Sequence, residues 1–255
     1  MFIDAHAHLN DLKFDGKIEE TVEKYREAGV GLVINSGFDI PSTERAMELS
    51  EKYGDMYFTA GVHPDDAKTL DENAKRRLSD MAKHEKCVAI GESGFDFYWN
   101  KSTAEEQEKA FDFQMRLSAE TGKPLVVHSR DASEKTLLFI RERRDLIKKG
   151  FLLHCYSYSA ETAEIYKNMG AYFSFGGVIT FKNAKKEKVL ETVGVERFMT
   201  ETDCPYLSPE PYRGTRNDPS RIPVILKKAA EIFGKTVKET EKAVEKNVGN
   251  FFGLK

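Results

Sequence analysis

The segment Phe2-Ile3-Asp4-Ala5-His6-Ala7-His8 is an apolar run that stops in two histidines one residue apart. Side chains at i and i+2 of a strand leave by the same face, so both imidazoles are presented together, within reach of one metal ion. A run that is apolar along its length and polar at its tip is what a barrel strand looks like when function sits at its C-terminal end. In such a barrel the rest of the chain repeats the pattern.

It does. Short apolar runs begin near Phe2, Gly31, Met56, Cys87, Pro124, Phe151, Ala171 and Arg197, separated by longer charged, amphipathic stretches. That alternation is the signature of βα units and a parallel sheet. Eight runs in 255 residues suit one (β/α)8 TIM barrel, an α/β fold that needs ~250 residues, and the reading is one domain over 1–255. Ser102 or Thr103, three residues before Glu105 or Glu106, makes a capping box for a helix. Gly29, Gly54, Gly122, Gly150 and Gly170 punctuate helix exits. Pro219 to Phe252 reads as two helices, giving an extra C-terminal helix.

The charges are mixed, with a net of −3, so no global basic field advertises nucleic acid. Cys87, Cys155 and Cys204 are odd in number and lack metal-type spacing, which suits a reducing cytosol. Cys155 and Cys204 are expected to point into packing. The first apolar run starts at Phe2 and no stretch approaches ~18 apolar residues, so a cytoplasmic chain without a membrane span is expected. Glutamine occurs only at Gln107 and Gln114, among many Lys and Glu, a bias reported for heat-adapted proteins.

The run ends are strongly polar. They are His6 and His8; Gly61-Val62-His63-Pro64; Gly91 to Asp96; His128-Ser129-Arg130-Asp131; His154-Cys155-Tyr156-Ser157; and Glu201-Thr202-Asp203-Cys204-Pro205. Five of the six histidines fall there, a concentration that a random scatter would seldom produce; His84, in a charged helical tail, reads as a solvated residue. His6, His8, His128 and His154 offer neutral nitrogen, and Glu92 and Asp203 anionic oxygen, enough ligands for two divalent ions. Glu92 is placed to bridge them. A bridging hydroxide at neutral pH, oriented by Asp203 acting as base, implies hydrolysis.

In this order, His6-Ala7-His8, Gly61 to Pro64, Gly91 to Asp96, Pro124 to Arg130, His154 to Ser157 and Glu201 to Leu207 resemble the TatD family of metal-dependent hydrolases, over nearly the whole chain. The resemblance implies an amidohydrolase-like barrel and a TatD-like deoxyribonuclease that uses magnesium or manganese, whereas nitrogen-rich ligation favours zinc, nickel or manganese. Carried over by position, it assigns His6, His8, Glu92 and Asp203 to one metal, and Glu92, His128 and His154 to the second. It also puts His63, Asp96, Arg130, Arg213 and the segment around it at the substrate site. Its expected substrate is DNA, as single-stranded ends trimmed 3′ to 5′. The chain departs from the family in Tyr156-Ser157-Tyr158, where Tyr158 would narrow the pocket, and in Phe95-Asp96-Phe97. The rival reading is amidohydrolase-type attack on a small ester, lactone, amide or aminoacyl-tRNA ester. Against it stand Glu92 in the bridging position and basic residues near the mouth, Arg130, Lys182, Lys185, Lys186, Arg213 and Arg216, which suit phosphate.

Overall fold

The computed structural model describes residues 1–99 and 101–254. Its strands are β1 (Phe2–Ala7), β2 (Val30–Ser36), β3 (Met56–Ala60), β4 (Cys87–Asp96), β5 (Leu125–Arg130), β6 (Phe151–Leu153), β7 (Tyr172–Phe175) and β8 (Phe198–Thr200). They pair in sequence order, all parallel, β1 to β8. Each begins within one residue of its apolar run. β8 returns to β1, where Thr200 donates its hydroxyl to the Ile3 carbonyl at 2.7 Å, and the sheet is a nearly closed barrel. Just beyond the strands, the amides of Asp203 and His8 donate to the carbonyls of His6 and Cys204, at 3.0 and 2.9 Å. These bonds hold both halves of one candidate ligand set on the same seam.

Helices α1 (Ile18–Glu27), α2 (Ile40–Lys52), α3 (Glu72–Met81), α4 (Ala104–Thr121), α5 (Ser133–Glu142), α6 (Ala160–Asn168), α7 (Glu187–Val193) and α8 (Ile222–Phe233) surround the sheet. The extra C-terminal helix is α9 (Val237–Phe252), whose Asn247 amide donates to the carbonyls of Val195 and Phe198 at 2.8 Å and caps the base of β8. Thr103 and Glu106 form the expected capping box of α4. The helices bury their apolar faces, with Phe111 and Phe139 stacked between α4 and α5. Among the described residues, no helix is long and apolar enough to cross a membrane.

Two local features bring the polar ends together. In β4, Gly94 has φ +145°, and a side chain there would collide with the His128 carbonyl. Its absence lets β4 press against β5, in a register that sets Gly94 beside His128 and Asp96 beside Arg130. The second feature is the glutamine pair on α4. Gln114 clamps Val62, accepting its amide and donating to its carbonyl, both at 2.9 Å. Gln107 clamps Asp96 in the same way, at 3.0 Å each. Both side chains are buried, so one helix holds the ends of β3 and β4 through backbone groups that would otherwise lack partners. His84 lies at the opposite end of the barrel, half-buried against Phe58 and bonded to Glu51, where solvent had been expected.

Candidate active site

The structure gathers His6, His8, Glu92, His128, His154 and Asp203 into one cluster at the C-terminal end of the barrel. Glu92, only 3% exposed, is its centre. Its Oε2 lies 3.3 Å from His6 Nε2 and 3.5 Å from His8 Nε2. Its Oε1 lies 2.9 Å from His128 Nδ1 and 2.8 Å from His154 Nε2. The carboxylate therefore divides its two oxygens between two pairs of imidazoles. Asp203 Oδ1 completes the first group, 3.3 Å from His8 Nε2 and 3.8 Å from His6 Nε2. Asp203 reaches that position from a left-handed turn, φ +53°, a conformation that aspartate tolerates better than most residues.

Outer partners aim the rings. His8 Nδ1 bonds to the Ser36 carbonyl at 3.0 Å and must donate there, so its Nε2 presents a lone pair to the centre. His6 Nδ1 bonds to the Ser36 hydroxyl at 3.0 Å. His128 Nε2 donates to Asp96 Oδ2 at 3.1 Å, which leaves its Nδ1 lone pair facing Glu92. Behind His154, Glu201 Oε2 stands 3.9 Å from Nδ1, fully buried and hydrogen-bonded to Ser174. The same buried shell includes Asp4, which accepts the Thr202 amide and hydroxyl and so shapes the turn leading to Asp203.

The donor set fits divalent cations. Lone pairs face lone pairs at close range: His6 Nε2 and His8 Nε2 are 3.2 Å apart, and His128 Nδ1 and His154 Nε2 are 3.1 Å apart. No lysine or arginine pairs with Glu92 or Asp203 among the described residues. Without a metal, protons supply the missing positive charge. Burial works against it, yet hydrogen bonding to Asp203 and the charge of Glu92 push His8 up to about 9. Burial likewise opposes charging His128, but Asp96 and Glu92 push it up to about 9. Burial and the neighbouring His154 push His6 down to about 4. Burial alone would raise Glu92, but the imidazoles of His154, His63 and His128 hold it well below the usual carboxylate range. Any cation entering this site exchanges with those protons.

Distance alone also groups His63 with Glu92 and His128. Its protonation state argues against ligation. His63 Nδ1 accepts the Asp65 amide at 3.1 Å, so the neutral ring carries its proton on Nε2, the atom 3.5 Å from Glu92 Oε1. A ring fixed in that tautomer is a donor.

A cavity of about 680 Å³ opens above the cluster, lined by His63, Arg130, Lys101 and Trp99 among others. Of the expected substrate residues, His63 and Arg130 face it. Asp96 reaches it only marginally, for it is buried and its oxygens are engaged by His128 and by the amides of Tyr98 and Trp99. Arg213 lies elsewhere, stacked on Phe181 beside a second cavity of about 310 Å³. Of the lysines expected near the mouth, Lys186 donates to the Ser157 carbonyl, and the neighbouring Lys188 pairs with Glu161. Two further expectations are corrected. Cys155 does not turn into packing; a left-handed backbone, φ +45°, leaves it lining the cavity, whereas Cys204 is buried as expected. Tyr158 does not narrow the pocket, because its hydroxyl is drawn to Ser129 and to the Ala132 amide, at 2.8 and 3.1 Å. Ser36, Asp4, Glu201 and the two glutamines were not singled out for the site; only the polar ending of the β2 run, Asn35-Ser36, offered a signal for Ser36.

Eight parallel strands with metal-capable groups at their C-terminal ends make a TIM barrel of the kind that metal-dependent hydrolases use. Residues 3–253 match the TatD related DNase family, and the chain belongs to that family. It is 38% identical to the uncharacterized metal-dependent hydrolase YabD of Bacillus subtilis, across 100% of both chains. It is 31% identical to the 3′-5′ ssDNA/RNA exonuclease TatD of Klebsiella pneumoniae, covering 98% of this chain and 97% of that one. The crystal structure of the TatD homologue YJJV from Escherichia coli superposes with a TM-score of 0.93 at 26% identity, covering 100% of this chain and 98% of that one.

Proposed function

We propose that this chain is a binuclear metal-dependent phosphodiesterase that trims unpaired DNA strands from their 3′ ends. The observation that carries the reading is the divided Glu92 carboxylate, one oxygen toward His6 and His8 and the other toward His128 and His154. Oxygens so divided serve two cations better than one. His6, His8, Asp203 and Glu92 would hold the first ion, and Glu92, His128 and His154 the second. The name of the Klebsiella relative supports the substrate class and the polarity.

Bound divalent ions supply Lewis acidity and make water a nucleophile at neutral pH. The chain's own residues do the rest. Asp203 is the most exposed carboxylate of the cluster, its side chain 17% exposed, so it can take the proton from an attacking water. His63 Nε2–H donates to a non-bridging phosphate oxygen. Arg130, with no carboxylate partner among the described residues, supplies fixed positive charge for the phosphate.

The test is an end-labelled oligonucleotide compared with its circular form, under manganese or magnesium, with metal content measured alongside. Stepwise shortening of the linear strand, with the circle intact and two ions bound per chain, is expected. Rapid cutting of the circle would refute the exonuclease reading. Inertness toward both strands with brisk hydrolysis of a lactone or ester would transfer the function to carbonyl chemistry. A stoichiometry that never exceeds one ion would remove the binuclear site.

A further inference from the structure

The loop that leaves β4 exposes aromatic surface in the wrong place for a folded protein's own purposes. Tyr98 is 54% exposed and Trp99 56%, set edge to face at 4.9 Å, with Phe97 beside them. Isolated exposed hydrophobics need no explanation, but two large rings in contact, one of them lining the cavity above the cluster, do. Arg130 lies against them, its guanidinium 4.0 Å from the Tyr98 ring centre and 5.6 Å from that of Trp99. Lys101 stands 5.8 Å from the Trp99 ring. Across the cavity, Tyr206 is also exposed and carries Lys13 4.1 Å above its ring.

Rings interleaved with cations are what an unpaired nucleic acid strand requires: every base has a face to stack, and every phosphate a charge to neutralise. A protein-binding patch of aromatics would not need cations tucked beside each ring. The loop is also registered on the site. Tyr98 and Trp99 donate their amides to Asp96 Oδ1 at 2.9 and 3.0 Å, while Asp96 Oδ2 holds His128. One carboxylate thus ties the aromatic loop to a candidate metal ligand.

We infer that Tyr98 and Trp99, with Arg130, form a base-stacking subsite for a nucleotide next to the scissile phosphate. This rests on the phosphodiesterase reading and adds to it the reason an unpaired strand is preferred: a base inside a duplex has no free face to offer.

Trp99 is the chain's single tryptophan, so its emission reports on this site alone. The full, metal-loaded chain is titrated with two phosphorothioate strands of equal length, one bearing thymine and one abasic, with anisotropy of a strand label read in parallel. Thymine stacking should quench Trp99, and the abasic strand should bind about 5- to 150-fold more weakly without quenching, the range of one stacked base. Trp99→Ala should erase the difference between the strands by anisotropy. Equal affinity for the two strands, or unchanged emission at saturation, would overturn the subsite. If the wild-type chain still shortens an ordinary strand in that event, the subsite alone fails; if it neither binds nor cuts any strand, the phosphodiesterase reading fails with it.

Discussion

Replacing Asp96 with Asn separates a residue that touches substrate from one that positions a metal ligand. The side chain is buried, and the replacement keeps its shape. Burial would raise the carboxyl, but the hydrogen bond from His128 and the amides of Trp99 and Tyr98 hold it down to about 2. It is therefore a full carboxylate accepting from three donors. Asn keeps an oxygen for the two amides but turns an NH2 toward His128 Nε2, so donor would meet donor. The imidazole can escape by moving its proton to Nδ1, the atom 2.9 Å from Glu92 Oε1 and the one needed for coordination. Losing such an outer partner typically weakens metal affinity about 10- to 100-fold, which is about 1.4 to 2.8 kcal/mol at 1.4 kcal/mol per decade. Competition with a chromophoric chelator, with no substrate present, measures it. If metal affinity stays at the wild-type value while KM rises, Asp96 contacts substrate and the positioning argument is wrong.

Asp203→Asn should leave the fold and most bound metal in place yet lower kcat by about 10²- to 10⁴-fold, the range of a general base; near-normal turnover at full metal occupancy would exclude that role. Gln114→Met should leave the Val62 amide and carbonyl buried without partners, at about 1–3 kcal/mol each. At roughly 2–4 °C per kcal/mol for a chain of this size, calorimetry should show the midpoint falling by roughly 4 to 24 °C, and a shift below a degree would refute the clamp. Asp55 accepts a bidentate pair from Arg26 at 2.7 Å and the Tyr25 hydroxyl at 3.1 Å, and although burial opposes it these partners depress its ionisation. A depressed carboxylate stabilises above its unfolded pKa and loses that contribution as pH falls through the folded one. Asp55→Asn should therefore be less stable than wild type at neutral pH, with the gap closing in acid below the ordinary carboxylate range. A gap that persists there would show that the loss is packing.

The barrel was legible because its signals are local. Apolar runs of strand length, helical spacing between them and a capping box at Thr103 and Glu106 can each be read in a window of a few residues. The six clustered side chains were legible for a related reason: strand ends of one polarity meet in a parallel barrel, so a list of end residues is already a list of neighbours. What could not be read depends on contacts between distant segments. Gln114 meets Val62 across 52 residues, and Ser36 meets His6 and His8 only after β1 and β2 pair. The two glutamines looked like the residue of a compositional bias, whereas both are buried clamps. Arg213 was grouped with the mouth by charge, yet cation-π packing on Phe181 takes it to a separate cavity. Cys155 and Tyr158 were misjudged because alternation along a strand stops at its end, where a left-handed residue or one hydroxyl bond decides the direction.

The concentration of function in β4 has a physical reason. Gly91 and Gly94 let this strand approach its neighbours more closely than any side chain would permit, and Glu92 between them is buried at the centre of the imidazole cluster. Four residues on, Asp96 reaches His128 on one side and the loop amides on the other. Gln107 pins the Asp96 backbone from α4. From Glu92 to Trp99, eight consecutive residues thus supply the proposed metal bridge, the group that sets an imidazole tautomer and the platform on which a base would rest. Glu92 and Asp96 share one strand and cannot drift independently, and the amides of Tyr98 and Trp99 tie the loop to Asp96, so the distance from stacked base to metal is set by the β4–β5 register and those two hydrogen bonds. Substitutions that loosen this register, such as Gly94→Ala against the His128 carbonyl, should damage metal binding and strand binding together, whereas substitutions in Trp99 should separate them.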